Sequence, residues 1–560
     1  MGIVLRSFIR IEGSLLKYSL DKLTKTPHIT QRNLLLNILR KNSGTEFGRT
    51  YNFNNISDEA EFRKKVPVNT YQDIEPYIKK IMSGQRSILT SDPPLIFNVT
   101  SGTSDKPKFI PVTINTKKRT TYLMQQWLYR TLLDHPSFLD KSNLTISASA
   151  SEGHTTSGVP FGSLSGLIYS NLPRIVMRSY VLPLRVADIK SYDLRYYLMA
   201  RLSFEKDVSF IATPNPTTLI KVAETGIRYQ EEIIRSINDG CLFTSLDFPI
   251  NDEDAEAIKV LNVSVKPNRA KAQFLSAVIK NNRTLSPFCC WPSLQLIGCW
   301  LGGSIGYQAE KLSTYYGNTP KRDIGYLASE GCITLPYEDC TPSGILALQN
   351  NYYEFIPEES ASEKNPDVRV SHELEAGKNY KVVLTNESGL YRYDMNDTVR
   401  VEKFYNQTPV LAFVRKTNDV LNITGEKLHV NQLIMTMQKV ESAFHILINQ
   451  FRVVSNLNQV RYDIFMALER DVSPELLKNT VLPAIDAYLS EMNIEYSQKR
   501  RSGRLNPPCL HVMDSAWEEN IRKNVIESGK RDIQYKWQLI SPEFLEIDKK
   551  YVKHTIYYGE

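Results

Sequence analysis

Several familiar motifs are missing from this sequence. It contains neither a nucleotide-binding P-loop of the form GxxxxGK[ST] nor the GxGxxG pattern of dinucleotide-binding folds. The seven cysteines include no CxxC pair, which argues against both a zinc site and a disulfide framework. Since free cysteines are typical of reducing compartments, we expect a cytoplasmic protein.

Long apolar runs are also missing. The longest, such as GILALQ and LNVSV, are far shorter than the ~20 residues that span a bilayer, so we expect no stable membrane insertion. The N-terminus, MGIVLRSFIRIEGSLLKYSL, has apolar residues at helical spacing but no signal-peptide cleavage site. We predict an amphipathic helix docked on the protein body, with a membrane-surface role as the alternative. The net charge of +7 suits anionic small molecules and is too diffuse for nucleic-acid binding.

The length of 560 residues predicts more than one domain. Residues 1–90 read as short helices, and residues 91–415 alternate strand-like and helix-like patterns, which indicates an α/β body. The stretch NPTTLIKVAETGIRYQEEIIRSI predicts one long helix, and YDIFMALE predicts a half-buried strand. Because the chain is polar and turn-prone near residues 415–425, we predict a large domain over 1–415 and a small α/β domain over 416–560.

A small, polar and cationic segment joins two strand-like stretches, LIFNVT and FIPVT. Its candidate phosphate-binding residues are Thr100, Ser101, Gly102, Thr103, Ser104, Lys106 and Lys108. Hydroxyls and backbone amides can surround phosphate oxygens, glycine permits a close approach, and lysines add positive charge. A hairpin turn without a ligand is the alternative.

Two later segments offer complementary groups. In WPSLQLIGCWLGGSIGYQAEKL, residues 302–304 lie between a predicted strand and a predicted helix, where a planar base can lie against the backbone. In GYLASEGCITLPY, Tyr326 could stack on a base, while Ser329 and Glu330 could meet phosphates and Mg²⁺. The alternatives are a tight turn for the first segment and surface residues for the second.

A third segment, GLYRYDMNDTVRVE, contains Asp397, whose carboxylate could accept hydrogen bonds from both hydroxyls of a ribose. Arg392 lies upstream, and the alternative for Asp397 is an ordinary ion pair.

The order and spacing of these motifs resemble the acyl-acid amido synthetases of the auxin-responsive GH-three family, within the adenylate-forming superfamily. The resemblance covers nearly the whole chain and includes TEFGRTYNFNNISDEAEFRKKVPVNTYQDIEPYI, TSGTSDKPKFIPVT, WPSLQLIGCWLGG, YLASEGC, YRYDMND and FVRKTND. It is stronger to the bacterial branch than to the plant enzymes. The family fold implies a large N-terminal adenylation domain with mixed sheets and a barrel-like part, and a smaller mobile α/β C-terminal domain.

The resemblance also implies roles for individual residues. Thr100 to Ser104, Lys106 and Lys108 would form the phosphate loop, and Gly302, Gly303 and Ser304 would line the adenine and acyl-phosphate pocket. Tyr326 would cover the base, Ser329 would meet the nucleotide, Glu330 would hold Mg²⁺, and Asp397 would hold the ribose. Arg415 or Lys416 would lie at the hinge near the ribose. Lys536 would reach the α-phosphate from the mobile domain.

The chain departs from the family pattern at three places. At the hinge, Lys416 stands where an arginine is more usual, and a lysine is not equivalent in a bidentate contact. The ribose motif usually reads YR-R-x-GD, and here Asp394 and Asn396 replace the arginine and the glycine. The last motif usually continues from the lysine into proline and arginine, where this chain has Trp537 and Gln538. We expect these changes to affect the reaction rate and the second half-reaction, in which the acyl group passes to its acceptor.

The resemblance implies a ligase that uses ATP and Mg²⁺ to adenylate a small carboxylic acid and then transfers the acyl group to an amino acid. We expect it to act as a monomer. The alternatives are an acyl-CoA synthetase-like ligase and a catalytically degenerate binding protein.

Overall fold

The chain forms two compact units in a computed structural model. The model describes residues 2–100, 107–147, 151–246, 248, 250–263, 265–361, 363, 366–416, 419–527 and 535–558. One unit lies within Met1–Phe413, and the other combines Val414–Gly529 with Tyr535–Glu560. This division falls two residues before the boundary at 415 and 416 that the sequence predicts.

The first unit begins with helices, as predicted for residues 1–90, and continues as an α/β body. Its helices are α1 (Gly2–Thr24), α2 (Pro27–Asn42), α3 (Glu46–Thr50), α4 (Glu59–Lys65), α5 (Tyr71–Met82), α6 (Ile114–Asp134), α7 (Leu164–Ser170), α8 (Arg174–Met177), α9 (Tyr192–Phe204), α10 (Pro216–Arg228), α11 (Gln230–Asp239), α12 (Asp252–Asn262), α13 (Arg269–Asn282), α14 (Pro287–Cys290), α15 (Gly303–Lys311) and α16 (Ser313–Tyr316).

The strands of the first unit build mixed, parallel and antiparallel sheets. They are β1 (Ile96–Thr100), β2 (Lys108–Val112), β3 (Ser142–Thr145), β4 (Gly153–His154), β5 (Pro160–Gly162), β6 (Val208–Ala212), β7 (Leu296–Gly298), β8 (Lys321–Arg322), β9 (Thr334–Leu335), β10 (Ser343–Leu346), β11 (Tyr352–Pro357), β12 (Arg369–Val370), β13 (Asn379–Thr385), β14 (Tyr393–Tyr405) and β15 (Thr408–Lys416). The sheet orders are β2-β1-β5-β4, β3-β6-β7-β8 and β12-β11-β13-β14-β15-β10-β9.

The second unit is a smaller α/β structure around one sheet of order β21-β18-β19-β20-β22. Its elements are β16 (Val420–Leu421), β17 (Leu428–His429), α17 (Val430–Phe444), β18 (Ile448–Asn456), β19 (Arg461–Leu468), α18 (Pro474–Leu476), α19 (Leu482–Met492), α20 (Ile494–Arg501), β20 (Cys509–Met513), α21 (Trp517–Glu527), β21 (Ile540–Ser541), α22 (Glu546–Lys549) and β22 (Val552–Tyr557).

The main apolar core of the first unit lies under the sheet that carries Asp397. Buried side chains of the N-terminal helices, among them Leu35, Phe62 and Ile78, pack against buried residues of β11 and β13, such as Tyr352 and Val382. The N-terminal helices therefore support the sheet from behind.

The docked N-terminal helix is confirmed. A Cβ atom at Gly13 of α1 would come within 1.9 Å of the Tyr129 ring of α6, so only glycine permits this approach. The Tyr405 hydroxyl donates to Asp21 Oδ1 at 2.6 Å and fixes the end of α1. Within the described residues, every helix is too short or too polar to span a bilayer.

Two local predictions were wrong. The helix expected over residues 215–237 divides into α10 and α11 at Tyr229, whose ring packs edge to face on Tyr197 with centroids 5.6 Å apart. The strand YDIFMALE is buried along nearly its whole length, not on one face. As β19, it lies between β18 and β20 inside the sheet, and its apolar side chains fill the core of the second unit.

Candidate active site

The cationic segment joins the two strands of a β-hairpin, as the flanking patterns predict. β1 and β2 pair antiparallel with Thr100 opposite Lys108. Residues 101–106, with the predicted phosphate ligands Ser101, Gly102, Thr103, Ser104 and Lys106, lie outside the described residues. Their role in phosphate binding stays a prediction.

Lys108 begins β2 and lies beside Tyr71 of α5. Its ammonium nitrogen is 5.4 Å from the centroid of the Tyr71 ring, within the range of a cation–π contact. The Tyr71 hydroxyl accepts a hydrogen bond from the Phe109 backbone amide at 2.9 Å, which ties α5 to the hairpin. Lys108 is therefore held at the base of the hairpin rather than in open solvent.

A tight turn carries Ser329 and Glu330. The Gly331 amide donates to the Ala328 carbonyl at 3.2 Å, and the Ala328 amide donates to the Gly331 carbonyl at 2.9 Å. Asn98 of β1 donates to the Ser329 carbonyl at 3.2 Å, and Asn386 donates to the Glu330 carbonyl at 2.8 Å. These two amides, both almost fully buried, fix the turn to β1 and to the end of β13.

The Glu330 carboxylate influences three phenols, one of them by direct approach. The Tyr393 hydroxyl is 3.5 Å from Glu330 Oε1. Burial raises the pKa values of Tyr71, Tyr326 and Tyr393, and the negative charge of Glu330 raises all three further. The three phenols therefore stay protonated and can donate hydrogen bonds near neutral pH.

A bulge in β14 displays Asp397. Between the pairs Val383–Asp394 and Lys381–Thr398, β14 advances by four residues while β13 advances by two. The extra residues twist the strand out of the regular ladder, and bulges of this kind often redirect a side chain. The Asp397 carboxylate is 3% exposed and accepts a short hydrogen bond from the Tyr326 hydroxyl.

Arg392, upstream of Asp397 in the same segment, is engaged elsewhere. It pairs with buried Glu354 at 2.9 Å and donates to the Arg63 and Val66 carbonyls. The arginine thus anchors β14 to the N-terminal helices.

The two departures in the ribose motif have local explanations. Asn396 has a φ of 53°, the left-handed region that favours glycine and that asparagine tolerates better than most residues. The backbone amide of Asn396 donates to Asp394 Oδ1 at 2.8 Å, and Asp394 Oδ2 pairs with Lys381 at 2.6 Å. Both substituted residues therefore close the bulge that displays Asp397.

Gly302 lies between β7 and α15, and Gly303 is the first residue of α15. Gly303 has a φ of 60°, which favours glycine. A Cβ at Gly302 would come within 3.1 Å of Pro342 and 3.4 Å of the Phe413 carbonyl oxygen. The Phe413 ring in turn lies 5.3 Å from the Tyr326 ring, so the glycine turn and Tyr326 share a neighbour. The Ser304 side chain lies outside the described residues.

Buried Asp323 connects the glycine turn to the segment that leads to Tyr326. Its carboxylate oxygens accept hydrogen bonds from the Leu301 amide at 2.7 Å and the Gly325 amide at 2.6 Å. Burial raises the pKa of Asp323 to about 7, although both amide hydrogen bonds act in the opposite direction.

Direct contacts, together with the electrostatic influence of Glu330 on Tyr71 and Tyr326, join five of the predicted residues into one set in the first unit. We call it the candidate site, and it comprises Tyr71, Lys108, Gly302, Tyr326, Glu330, Tyr393, Asp397 and Phe413. Its members come from α5, β2, the turn before α15, the loop after β8, β14 and β15.

Three predicted residues belong to the second unit, which begins within β15 at Val414. Arg415 is buried and Lys416 is half-buried, both at the end of β15, and Lys536 is exposed. Their proposed roles at the ribose and the α-phosphate stay predictions.

Sequence reasoning missed five residues that position the site: Tyr71, Asn98, Asn386, Tyr393 and Phe413. One signal was available for Asn98, a polar residue in the middle of the apolar strand IFNVT. The others carry no local signal, because their importance arises only from contacts between distant segments.

One group of three metal-ligand side chains occurs among the described residues: Asp463, Cys509 and His511 in the second unit. Arg461 pairs with Asp463 at 2.8 Å, and His511 Nδ1 is 2.9 Å from the Thr555 hydroxyl. Because a guanidinium already neutralises the carboxylate, we interpret the group as packing within the sheet.

Comparison with known proteins identifies the chain's relatives. Residues 16–321 match the GH3 family N-terminal domain, residues 344–416 the central domain and residues 429–543 the C-terminal domain. The chain belongs to the GH3 family. The resemblance predicted from the sequence motifs is therefore confirmed.

This GH3 protein is similar to named plant enzymes over most of its length. It is 26% identical to "Indole-3-acetic acid-amido synthetase GH3.4" of Arabidopsis thaliana, across 92% of this chain and 90% of that protein. It is also 26% identical to "Jasmonoyl--L-amino acid synthetase GH3.5" of Oryza sativa subsp. japonica, across 92% of each.

Solved structures confirm the fold class. The GH3.15 acyl acid amido synthetase superposes with a TM-score of 0.83 at 20% identity, over 97% of this chain and 96% of that one. A 2-hydroxyisobutyryl-CoA ligase in complex with 2-HIB-AMP gives a TM-score of 0.51 at 9% identity, over 91% and 88%. This GH3 chain therefore has the adenylate-forming fold, with a large N-terminal and a smaller C-terminal domain.

Proposed function

We propose that this protein is an ATP-dependent acyl-acid amido synthetase. A carboxylate substrate attacks the α-phosphate of ATP and gives an acyl-adenylate and pyrophosphate. The amine of an amino acid then displaces AMP and forms an amide. The observation that carries the proposal is that Tyr326 bonds to Asp397 and feels the charge of Glu330, although the three come from distant segments of a GH3 chain. Lys108 contacts Tyr71, whose pKa the same glutamate raises.

The first step brings an anion to a polyanion, so charge neutralisation and in-line positioning must lower its barrier. We assign Lys108 and the hairpin loop to the phosphates. Asp397 has an acceptor group suited to ribose hydroxyls, and its hydrogen bond orients the Tyr326 ring, which we assign to the adenine. No nucleophilic side chain is required, since the substrate carboxylate itself attacks.

The oxygen atoms of Ser329 and Glu330 are suitable ligands for Mg²⁺. Glu330 offers a carboxylate and Ser329 a hydroxyl, and Mg²⁺ prefers oxygen ligands and commonly binds through one or two carboxylates together with substrate phosphates. Bound there, the ion would neutralise phosphate charge. The three protonated phenols add hydrogen-bond donors around the same carboxylate.

The second unit contributes Lys536 in this proposal. Its ammonium group would stabilise the charge that develops on the α-phosphate during adenylation, and the C-terminal domain would withdraw it before the amine enters. The remaining parts of the proposal are a cytoplasmic location, supported by seven free cysteines, and a monomeric state.

A second candidate function is an acyl-CoA ligase. Its support is the adenylate-forming fold shared with the 2-hydroxyisobutyryl-CoA ligase. The first half-reaction would be the same, and only the acceptor would differ. A degenerate binding protein has less support, because Asp394 and Asn396 are accommodated within the bulge without displacing Asp397.

Pyrophosphate release with a panel of carboxylic acids tests the first step. We expect ATP-dependent release with at least one acid, and a loss of roughly 10²–10³ in rate for Glu330→Gln and for Lys108→Ala, the cost typical of a lost preorganised charged contact. Mass spectrometry of products formed with amino acids or coenzyme A then identifies the acceptor. Unchanged rates in both variants would refute the site assignment.

A further inference from the structure

The segment around Lys536 is anchored on both sides within the second unit. Lys536 is exposed, whereas Tyr535 and Trp537 are half-buried. The chain then enters β21, which pairs in parallel with β18 through Val453 and Ile540. The lysine therefore projects from a short stretch of chain that is fixed at each end.

Trp537 makes the anchor on the C-terminal side. Its indole nitrogen donates to the Phe451 carbonyl at 2.7 Å, and its ring lies against the core that contains Val454 and Phe465. The Arg452 guanidinium stacks 4.2 Å from the Trp537 ring centroid and also donates to the Gln538 carbonyl at 2.9 Å. One arginine thus contacts the two residues that follow the lysine.

Arg452 is itself held by a buried network. It is 3% exposed and pairs with fully buried Asp548, with nitrogen–oxygen distances of 2.6 and 2.8 Å. The Trp517 indole donates to the same carboxylate at 2.9 Å, and the Trp517 and Trp537 rings meet edge to face at 4.6 Å. With both oxygens of Asp548 engaged, the guanidinium has little freedom to move.

A second arginine acts on the N-terminal side. Arg522 of α21 is 3% exposed, and its guanidinium lies 5.6 Å from the centroid of the Tyr535 ring. Two buried arginines therefore contact the aromatic residues that flank Lys536.

We propose that Arg452, Asp548, Trp517 and Trp537 form a clamp that positions Lys536 for adenylation. This inference rests on the proposed function, because it assumes that Lys536 acts on the α-phosphate. Trp537 is a positioning residue in this scheme and does not touch the substrate. The clamp explains how a tryptophan can stand where the family pattern has proline. The contacts of the Trp537 indole restrain the backbone after Lys536, whereas a proline would restrain it through its own pyrrolidine ring.

Positioning matters here because a lysine is a long, flexible carrier of charge. A displacement of ~1 Å can reduce a rate by about 10²-fold when a reacting geometry must be met. A clamp on the neighbouring backbone reduces the conformations that Lys536 must lose at the transition state.

The decisive variants are Trp537→Ala, which removes the clamp contact, and Trp537→Phe, which keeps a ring against Arg452. Phe544→Ala is the matched control, because Phe544 packs against the same apolar core, 5.1 Å from the Phe465 ring, outside the 535–538 segment. Arg452 is left unchanged, since its removal would leave the buried Asp548 carboxylate unpaired and risk unfolding.

The kinetic readout compares the two half-reactions. We expect Trp537→Ala to lower kcat of pyrophosphate release by about 10- to 100-fold with little change in KM for ATP. Amide formation from preformed acyl-adenylate should change less than about twofold, since Lys536 is not used there. Trp537→Phe should recover most of the adenylation rate. Equal losses in both half-reactions, or the same loss in Phe544→Ala, would overturn the proposal.

A second readout does not depend on activity. Trypsin cleavage after Lys536, measured by mass spectrometry and divided by the rate for the same bond in the unfolded chain, reports directly on the clamp. We expect slow cleavage in the native protein and in Phe544→Ala, and at least about tenfold faster cleavage in Trp537→Ala. Equal protection in all three would overturn the clamp even in a fully active enzyme.

The two proposals fail in different ways. If the native protein releases no pyrophosphate with any acid while the protease result holds, the proposed function fails and the clamp remains as a structural feature without its assigned role. If the native protein is active and Lys536→Ala is impaired while Trp537→Ala is not, the clamp proposal alone fails.

Discussion

At the residue scale, Asp397 combines near-complete burial with a hydrogen bond from a phenol. Burial penalises a charged carboxylate unless hydrogen bonds or opposite charges stabilise it. Its short contact with Tyr326 supplies one such bond, and burial together with the charges of Asp397 and Glu330 raises the pKa of that phenol. Tyr326 therefore remains a hydrogen-bond donor. Its bond to Asp397 holds the carboxylate, which is an acceptor, next to the aromatic ring of Tyr326.

Replacing Asp397 should separate nucleotide binding from folding. Asp397→Asn keeps the size of the side chain but removes the charge that we assign to the ribose hydroxyls. We expect KM for ATP to rise by roughly 10- to 100-fold, since hydrogen bonds to charged groups contribute about 1.5–3 kcal/mol. Steady-state pyrophosphate release measures this. Asp367→Asn, which removes a half-exposed partner of Arg369, should leave KM unchanged.

The buried Asp323 carboxyl predicts a distinct pH dependence of stability. Its pKa is raised from 3.8 to about 7 in the folded protein, so between about pH 4 and pH 7 the folded state holds a proton that the unfolded state has lost. Stability from this group is therefore greatest at low pH and falls as pH rises towards 7, by at most about 1.4 kcal/mol per pH unit.

Urea unfolding of the native protein and Asp323→Asn, from pH 5 to pH 8, checks this expectation. The amide does not titrate, so the stability advantage of the native protein over the variant should shrink as pH rises. A constant difference across the range would show that Asp323 does not hold its proton.

At the element scale, the bulge in β14 determines where Asp397, the residue that we assign to the ribose, points. A regular strand would alternate its side chains between the two faces of the sheet, whereas the two extra residues before Thr398 break this alternation. Asn396 supplies the left-handed residue that the bulge requires, and Asp394 caps it. The two residues that depart from the family's ribose motif, Asp394 and Asn396, are therefore the residues that form the bulge.

Substitutions at Asn396 should change the bulge without removing any ligand. Asn396→Gly should be tolerated, whereas Asn396→Ala should cost about 1 kcal/mol and raise KM for ATP, because an alanine disfavours a φ of 53°. Thermal unfolding and ATP-dependent kinetics measure the two effects. Asn406, at the same φ in the turn between β14 and β15, provides the control: Asn406→Ala should lose stability without a change in KM.

Elements that have strong local patterns were predictable. The strands β1 and β2 were predicted from their β-branched and aromatic residues. The bulge has no such signal, since it depends on pairing with β13. The division at Tyr229 and the full burial of β19 were missed for the same reason, because tertiary packing on Tyr197 and on both neighbouring strands decides them.

The candidate site was predictable in part only. Motif order and family resemblance pointed to Glu330 and Asp397, which carry reactive groups. Tyr71 and Tyr393 were not predicted, because nothing in the sequence distinguishes these two from the other tyrosines among the 30 in the chain. Sequence identifies chemical groups, whereas the relation between α5, the turn at Ser329 and β14 requires the folded chain.

At the scale of the whole molecule, the chain divides its predicted tasks between two units. Tyr326, Asp397 and Glu330, which we assign to the base, the ribose and the metal, belong to the first unit, and Lys536 belongs to the second. Binding of nucleotide and stabilisation of the transition state should therefore be separable by mutation, even though both serve one reaction.

Lys536→Ala in the full-length protein tests this separation. We expect the rate of pyrophosphate release to fall by roughly 10²–10³, because the variant loses a charge that acts on the α-phosphate as negative charge develops. The Kd of AMP, measured by calorimetry, should change less than about twofold, since the contacts assigned to base and ribose remain. Lys550→Ala, another exposed lysine of the second unit, should alter neither quantity. A parallel loss of AMP affinity in Lys536→Ala would mean that the lysine binds the nucleotide in its ground state, and the division of tasks between the units would then be wrong.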